Sequence, residues 1–353
     1  LLMEKKIKYM NVLFIGLGSI GQRHMRNLLS LSKQNIRLYA LRAKNSPGEI
    51  SNNLRYNQNI NIVKKYKINL IKKIEDLKGI NIHISFICNP SSMHVNSAIE
   101  CAKMKSHIFI EKPLSDSPKK ISELKEICVR NKLICFVGFQ QRFNPLIIKL
   151  KKIINQNTLG KLLYVNANVC EYMPEFHNYE DYRKTYAANK KMGGGVVLSQ
   201  IHEIDYLQWI FGVPSSVIAY GGKKSNLEID VEDSVAALLC VPYKKSILPV
   251  NLYMDFLQRK PTRNCIVYGT KARLEVDLKK EKIEIYKKNS KKKYRIKKIS
   301  RNEIFKKEIK NFLSIVKNNT RSPIDITEAK KSLDIGIAIK RSLKENKLIS
   351  MKV

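Results

Sequence analysis

The chain has few acidic residues, and its positive charge is correspondingly large. Its 353 residues include 66 Lys and Arg but only 30 Asp and Glu, which gives a formal net charge of +36 at pH 7. Such an excess attracts polyanions such as nucleic acid. The lysines, however, are spread over nearly the whole chain, and aromatic residues are not interleaved with them as a base-stacking surface requires. We therefore expect no specific nucleic-acid partner, but a positive field that attracts acidic substrates and cofactor phosphates.

Cysteine motifs and long apolar runs are also lacking. The seven cysteines are an odd number, and none belongs to a Cys-x-x-Cys motif. This argues against a disulfide framework and against a zinc module. No apolar run reaches the roughly 18 to 20 residues that span a bilayer. We therefore predict a cytoplasmic protein that does not cross a membrane, with a length that suits two domains.

Strand-like and helix-like segments alternate over the first part of the chain. The strand-like segments are 11–15, 36–42, 82–90, 107–113 and 133–139. This alternation predicts an α/β domain with a doubly wound parallel sheet. After Pro145, several short strands with short connections predict an antiparallel meander, and two helices close the chain. The predicted domains are therefore 1–143 and 144–353.

A glycine motif lies between the first predicted strand and the first predicted helix. Gly16, Gly18 and Gly21 form G-x-G-x-x-G. In this motif the first glycine permits a tight turn, the second lets the backbone approach a pyrophosphate, and the third lets helix and strand pack closely. Ser19 and Ile20 then open the helix, whose N-terminus faces the phosphates. A purely structural glycine turn is the alternative, but the strand-turn-helix context favours a Rossmann dinucleotide site.

The end of the second predicted strand bears on the choice between NAD and NADP. An acidic residue there would hold a ribose hydroxyl, as NAD binding prefers. The sequence has Leu41 and Arg42 instead. Arg42 suits the 2′-phosphate of NADP, although a surface arginine is the alternative in so basic a protein. We predict NADP or NAD as the cofactor, with a preference for NADP.

Polar residues follow three later strands, where ligands bind in doubly wound sheets. They are Asn89, Pro90 and His94 after the third strand, Glu111 and Lys112 after the fourth, and Gln140 and Arg142 after the fifth. We predict that these residues line the cofactor site. We further predict that Lys112 and Arg142 contact the substrate.

These motifs together resemble the Gfo/Idh/MocA family of glucose–fructose oxidoreductases, inositol dehydrogenases and rhizopine-catabolism proteins. The segments "GLGSIGQRH", "CNPSSMH", "FIEKPLS", "GFQQRFNP", "GGGVVLSQIHEIDYLQWIFG" and "VEDSVAALL" have the family's order and spacing over essentially the whole chain, and "EKP" is its most specific mark. The resemblance implies a Rossmann domain followed by an α/β domain with an open, mostly antiparallel sheet. It also implies NAD(P)-dependent oxidation or reduction of a sugar hydroxyl. Because an open sheet needs a cover, we expect a homodimer or homotetramer.

Two catalytic residues follow from the resemblance. By motif match, Lys112 lies near the nicotinamide and the reacting hydroxyl, His202 is the acid–base residue, and the peptide before Pro113 is a candidate cis bond. The chemistry agrees, since histidine titrates near neutrality and an ammonium group favours the alkoxide. For Lys112 the alternative is one surface lysine among many. A metal at His202 would need a second histidine four residues on, where the chain has Tyr206, so no metal is predicted.

The segment before His202 departs from the family pattern. Many members carry an aspartate one turn before the histidine, whereas this chain has Ser199 and a segment one residue shorter. This puts the acid–base mechanism in doubt, and Glu203 and Asp205 are alternative orienting residues. The "GGG…HEIDY" pattern resembles a subgroup associated with bacterial surface-sugar pathways. Loss of catalysis in a cofactor-bound protein is one alternative function, and a glycosidase or epimerase that oxidises its sugar transiently is another.

The polar, aromatic segment 173–192 is the predicted substrate loop. His177, Tyr182 and Arg183 offer partners for hydroxyl groups, and the planar guanidinium suits a carboxylate or phosphate. We also assign Ser199 to substrate binding. The alternative is an ordinary mobile surface loop. An acidic sugar would agree with the positive field of the chain.

Overall fold

The computed structural model describes residues 9–41, 48–177, 179–294 and 299–351. It divides into two compact units. Unit 1 contains the described residues up to Gly138 together with Arg301–Thr327, and unit 2 contains Phe139–Ser300 and the described residues from Glu328 onward. The predicted division at residue 143 did not anticipate that a late segment joins the first unit.

The strands, in chain order, are β1 (Met10–Ile15), β2 (Ile36–Leu41), β3 (Glu49–Ile50), β4 (Tyr56–Asn57), β5 (Asn69–Ile71), β6 (Ile84–Ile87), β7 (His107–Glu111), β8 (Cys135–Gly138), β9 (Leu162–Tyr172), β10 (Ser216–Gly222), β11 (Ser234–Tyr243), β12 (Ser246–Asp255), β13 (Leu257–Gly269), β14 (Arg273–Asp277), β15 (Lys282–Lys287), β16 (Ser290–Tyr294) and β17 (Ile349–Ser350). The helices are α1 (Ser19–Leu31), α2 (Ile62–Lys65), α3 (His94–Lys103), α4 (Ile121–Arg130), α5 (Pro145–Asn155), α6 (Val196–Ser199), α7 (His202–Phe211), α8 (Arg301–Asn318) and α9 (Ile326–Glu345).

Unit 1 is built on a parallel sheet. Its six strands have the order β5-β2-β1-β6-β7-β8, and every pair is parallel. Strands β6 and β8 are buried along their whole length, as expected for strands covered on both faces. The parallel Rossmann sheet predicted from the sequence is confirmed.

A row of phenylalanines explains why α8 belongs to unit 1. Phe86 and Phe109 come from neighbouring strands, and their ring centroids lie 5.1 Å apart. Phe312 of α8 packs edge-on against these rings, at 5.9 Å from the first and 5.5 Å from the second. All three side chains are fully buried. Burial of these large aromatic surfaces holds a segment from the end of the chain against the first sheet.

Unit 2 is built on a larger, mostly antiparallel sheet. Its nine strands have the order β16-β15-β14-β13-β9-β12-β11-β10-β17. Only β9 and β12 pair in parallel among the described strands of this sheet. The predicted antiparallel character is confirmed.

The two faces of this sheet differ in burial. On β12 the side chains of Leu248, Val250 and Leu252 are buried, while the alternate residues are half-buried or exposed. Tyr220 of β10 and Leu238 of β11 are large apolar residues with exposed side chains on the second face. The sheet of unit 2 therefore has one core face and one open face.

Candidate functional site

The glycine loop of unit 1 is shaped by steric requirements. Gly16 has φ +94°, and a Cβ there would lie 2.7 Å from the carbonyl oxygen of Cys88. A Cβ on Gly21 would lie 2.3 Å from the carbonyl oxygen of Gly16. Side chains are excluded at both positions because backbone atoms occupy the space. A Cβ on Gly18, by contrast, would meet no atom of the described chain within 4 Å.

The N-terminus of α1 is suited to an anion. Helix α1 begins at Ser19, and within the described chain no side chain caps its free N–H groups. Its first turn has no acidic residue. The partial positive charge of the helix end is therefore available to a negative group beside Gly18. These features fit the pyrophosphate of a dinucleotide, with Ser19 and Ile20 at the entrance of the helix.

His94 joins two of the predicted strand-end loops. Its ring nitrogen Nδ1 lies 2.7 Å from the carbonyl oxygen of Pro113, and Nε2 lies 2.9 Å from that of Asn89. Burial lowers the pKa of His94, and the hydrogen bonds to the two carbonyl oxygens offset part of that effect. Asn89 in turn donates from Nδ2 to Ser97 Oγ at 2.8 Å. The loop after β6, which includes Pro90, is thus attached to the loop after β7.

The loop after β7 contains Glu111, Lys112 and a cis peptide bond before Pro113. The cis bond agrees with the expectation from the resemblance. Glu111 is buried, and one carboxylate oxygen lies 2.5 Å from His24 Nε2 while the other accepts the backbone N–H of Lys112 at 3.2 Å. Burial alone would raise the pKa of Glu111, but the hydrogen bond and charge of His24, together with the charges of Lys112 and His94, lower the pKa overall. This arrangement favours an indirect role for Glu111, which holds the Lys112 backbone in place.

Not every residue predicted for the cofactor site has a described position in unit 1. Arg42 lies outside the described residues. Gln140 and Arg142 belong to unit 2, in a short 3₁₀ turn that runs from Gln140 to Phe143. Unit 1 therefore brings together the glycine loop, the loop after β6 and the loop that contains Lys112.

Arg142 is held in a buried ion pair. Its Nε and Nη2 donate to the two carboxylate oxygens of Asp205 at 2.8 and 2.7 Å, and Nη2 also reaches Glu328 at 3.1 Å. The guanidinium lies over the ring of Trp209, with 5.3 Å between its carbon and the ring centroid. Arg142 is therefore held by two acidic residues of unit 2, and its cofactor and substrate contacts stay a prediction.

The three glycines before His202 turn the chain into a short helix. Gly193 and Gly195 have φ +80° and +102°. A Cβ on Gly195 would lie 2.2 Å from a carboxylate oxygen of Glu232, and that oxygen accepts the backbone N–H of Val197 at 3.4 Å. The glycine therefore lets the half-buried carboxylate of Glu232 lie against the first turn of α6. Glu232 was not identified from the sequence, although it lies in the "VEDSVAALL" segment.

His202 is the first residue of helix α7. Its side chain is buried, and its ring meets the ring of Phe139 edge-on at 6.0 Å. Ser199 is buried and ends α6, so the helix is interrupted between these two residues. The shortened segment noted in the sequence coincides with this interruption.

The carboxylates of Glu203 and Asp205 are directed to arginines. Glu203 accepts two hydrogen bonds from Arg263, and Asp205 accepts two from Arg142. The sequence suggested these acids as alternative orienting residues for His202, and this stays a prediction.

The predicted substrate loop has ion pairs of its own. Arg183 is bound by Asp181 and Glu228, with 2.6 Å between its Nη1 and the latter carboxylate. The hydroxyl of Tyr182 accepts the backbone N–H of Glu228 at 3.2 Å. His177 lies 2.6 Å from Glu180. An acidic substrate would therefore compete with protein carboxylates for Arg183.

The described residues contain no group of three His, Cys, Asp or Glu side chains arranged to hold a metal ion. Among the helices that the structure describes, none is long and apolar enough to cross a membrane.

Two family models match the chain, one after the other. Residues 10–139 match a family model described as the NAD-binding Rossmann fold of an oxidoreductase family, and residues 151–353 match the C-terminal alpha/beta domain of the same family. The chain belongs to the Gfo/Idh/MocA oxidoreductase family. The resemblance noted in the sequence is thereby confirmed.

The chain is also similar, over nearly its whole length, to individual dehydrogenases. The myo-inositol 2-dehydrogenase of Thermotoga maritima is 26% identical over 354 residues, which cover 97% of this chain and 99% of that protein. A levoglucosan dehydrogenase structure in complex with NADH and L-sorbose is 15% identical with a TM-score of 0.80, and covers 98% of this chain and 100% of its own. UDP-N-acetylglucosamine 3-dehydrogenase from Acidithiobacillus ferrooxidans is 18% identical with a TM-score of 0.74, and covers 96% of this chain and 98% of its own. The likeness to the two solved structures is one of fold.

Proposed function

We propose that this protein is an NAD(P)-dependent dehydrogenase that transfers hydride to or from a hydroxyl or keto carbon of a sugar or sugar-like substrate. The observation that carries the proposal is the glycine loop of unit 1. Two of its glycines are required by backbone packing, whereas Gly18 leaves open space beside an uncapped helix N-terminus. A dinucleotide pyrophosphate needs this combination of close backbone approach and free N–H groups.

The cofactor would be held by residues of unit 1. The N–H groups at Ser19 and Ile20 would bind the phosphates, and Asn89 and Pro90 would border the nicotinamide side. When bound, the nicotinamide supplies the hydride donor or acceptor. We propose NADP as the preferred form because the end of β2 is followed by Arg42 and has no acid at that point. Arg42→Asp should shift the ratio of NADP to NAD affinity towards NAD, and an unchanged ratio would remove this part of the proposal.

Lys112 and His202 would carry out the proton chemistry. When hydride leaves the alcohol carbon, the hydroxyl proton needs an acceptor, and the imidazole of His202 suits that task. The ammonium group of Lys112 would favour the developing alkoxide. The backbone of Lys112 is fixed for this role by Glu111, and the side chain of His202 is buried at the start of α7.

The substrate class rests on composition and on named relatives. The relatives act on an inositol, on levoglucosan and on a nucleotide sugar. The net charge of +36 favours a substrate with an acidic or phosphate group. We propose an acidic sugar or a nucleotide sugar, in a surface-sugar pathway.

The open face of the unit 2 sheet supports a homo-oligomer. Exposed apolar residues such as Tyr220 and Leu238 lie on this face. A second copy would bury them and remove an exposed apolar surface from water.

A substrate screen tests the proposed reaction. The protein is incubated with NAD or NADP and a panel of polyols, uronic acids and nucleotide sugars, and reduced nicotinamide is followed by absorbance. Thermal unfolding in the same mixtures identifies ligands that stabilise the folded chain. We expect one sugar class to stabilise the protein and to reduce the cofactor, with Lys112→Met and His202→Asn losing reduction but keeping cofactor binding. The dehydrogenase proposal would be overturned if the protein binds the cofactor but, with every sugar tested, neither reduces it nor exchanges labelled hydride between cofactor and sugar.

A further inference from the structure

Helix α7 carries two buried carboxylates, and each binds a different arginine of unit 2, of which Arg142 is buried and Arg263 is half-buried. Arg263 donates from Nε and Nη2 to the two oxygens of Glu203 at 2.6 and 2.8 Å. Arg142 donates from the same two atoms to Asp205 at 2.8 and 2.7 Å. Both contacts are bidentate, which fixes the direction of each side chain as well as its distance.

The spacing of the two carboxylates places them on opposite sides of the helix. Successive residues of an α-helix are rotated by about 100°, so Asp205 lies about 200° beyond Glu203 in the direction of the chain, and the remaining arc between them is about 160°. On the same scale His202 is about 100° from the first and about 60° from the second, and it lies on the arc between them. Rotation of α7 in either direction would therefore move one carboxylate away from its arginine.

The two arginines are anchored to different parts of unit 2. Arg263 belongs to β13, which pairs with β9 and β14 in the large sheet. Arg142 belongs to the turn before α5, and Ser332 of α9 adds a third hydrogen bond to Asp205 at 2.9 Å. The start of α7 is therefore attached to the sheet on one side, and to α9 and the turn before α5 on the other.

Stability alone does not explain why two buried carboxylates on one short helix are both held in ion pairs. Removing charges from water is costly, and well-packed apolar residues of similar volume often give equal or greater stability. A bidentate pair does provide what apolar packing lacks, namely a preferred direction. Glu203 and Asp205 lie on either side of His202 around the helix. Two pairs that fix the directions of these carboxylates therefore also fix the direction of the His202 side chain.

We propose that Glu203–Arg263 and Asp205–Arg142 are positioning pairs that fix the rotation of α7 and thereby aim the imidazole of His202. The inference rests on the proposed function of His202 as the acid–base residue. The pairs act through the helix backbone and do not touch the reacting atoms. If the imidazole of His202 points in the wrong direction, proton transfer slows, whereas cofactor binding at the glycine loop is unchanged.

Glu203→Gln tests this inference. The amide keeps the shape of the side chain but weakens the bidentate pair. We expect kcat to fall on the order of a hundredfold, as for a displacement of about 1 Å at a reacting group, with the Kd for NADH unchanged. Where the single variant folds poorly, the double variant Glu203→Gln/Arg263→Gln is measured, because it leaves neither partner of the pair charged, and we expect the same loss of kcat.

Glu284→Gln is the matched control. Glu284 lies on β15 of the same sheet, its side chain is nearly buried, and it pairs with Lys282 and Lys291. Loss of the Glu284 charge should lower the melting temperature of the protein without a change in kcat. If Glu203→Gln resembles this control, with reduced stability and normal kcat, the positioning role is excluded.

A spectroscopic measurement separates this inference from the proposed function. The chain has six histidines, and the imidazole signals of ¹⁵N-histidine-labelled protein can be assigned to His202 by comparison with His202→Asn. We expect Glu203→Gln to shift the His202 signal and to leave the signals of histidines in unit 1 in place. An unshifted His202 signal would overturn the positioning role. If His202→Asn keeps full activity, the acid–base assignment fails, and the shift still decides whether Glu203 positions the ring.

Discussion

Nε2 of His24 lies 2.5 Å from Oε1 of Glu111 in the interior of unit 1. His24 belongs to α1, the helix that begins at the glycine loop, and Glu111 ends β7 and binds the backbone N–H of Lys112. One buried contact therefore connects the predicted phosphate-binding helix with the loop that contains the predicted catalytic lysine. The rings of Phe86, Phe109 and Phe305 surround His24, which excludes water from the contact.

His24→Ala should destabilise unit 1 strongly. The substitution leaves the Glu111 carboxylate buried without its nearest partner, which costs about 3 to 5 kcal/mol when a buried pair is broken. The free energy of unfolding from urea titration measures the loss. Lys103→Ala is the control, because it breaks an exposed pair with Glu100 and should change stability by less than about 1 kcal/mol. Equal small effects of the two substitutions would contradict the importance assigned to the His24–Glu111 contact.

Glu308 should make the stability of the protein depend on pH. Its carboxyl is fully buried on α8, and burial together with the nearby charge of Glu111 raises its pKa well above the ordinary value of 4.5. Above pH 4.5 the unfolded chain loses this proton while the folded chain keeps it, so stability falls as pH rises towards the folded pKa. Below pH 4.5 the carboxyl is protonated in both the folded and the unfolded chain, and this loss of stability is absent.

Glu308→Gln removes this titration and keeps the shape of the side chain. The variant and the parent should be similarly stable at low pH, and the variant should become progressively more stable than the parent as pH rises. Urea unfolding of both proteins over a pH series gives the difference in free energy, in which other titrating groups cancel. Parallel curves at all pH values would show that Glu308 does not titrate differently in the folded and unfolded chains.

Two alanine substitutions in the glycine loop should have different consequences. In Gly21→Ala the new Cβ meets the carbonyl oxygen of Gly16 at 2.3 Å, so the helix must move away from the strand at a cost of about 1 to 3 kcal/mol. In Gly18→Ala the Cβ enters open space beside the helix N-terminus, and stability should change by less than about 0.5 kcal/mol. Thermal unfolding without cofactor measures both.

For cofactor affinity we expect a large effect of Gly18→Ala, the substitution with the small effect on stability. Gly18→Ala is expected to fold normally and to bind NADH weakly, because the methyl group occupies the approach of the pyrophosphate. Fluorescence titration with NADH gives the affinity. Normal NADH binding by a well-folded Gly18→Ala would contradict the proposed cofactor site.

The local features of unit 1 were predictable because their causes lie within a few residues. Gly16 and Gly21 satisfy steric demands of one strand-turn-helix segment, and the buried apolar runs of the strands identify a sheet covered on both faces. The parallel arrangement follows from the alternation of strands and helices.

The partners of α7 and the return of α8 were not predictable from such patterns. Arg142 and Asp205 are 63 residues apart, and Arg263 and Glu203 are 60 residues apart. A sequence with 66 basic residues offers many arginine and lysine partners for each acid, and local spacing does not select among them. Phe312 likewise reads as an ordinary core residue of a C-terminal helix until the sheet that it covers is known.

The open face of the unit 2 sheet predicts the effect of charged substitutions on assembly. Tyr220 and Ile247 are exposed to 68% and 55%, although both are large apolar residues on this face. If a second copy covers the face, Tyr220→Lys/Ile247→Asp places charges in an apolar interface and should shift the protein from a homo-oligomer to a monomer. Light scattering after size-exclusion chromatography measures the molar mass of each protein.

Lys244→Asp, at an exposed turn between β11 and β12, is the control for a change of surface charge and should leave the mass unchanged. A parent protein that is monomeric at all concentrations, or a double variant with the parent's mass, would contradict assembly through this face.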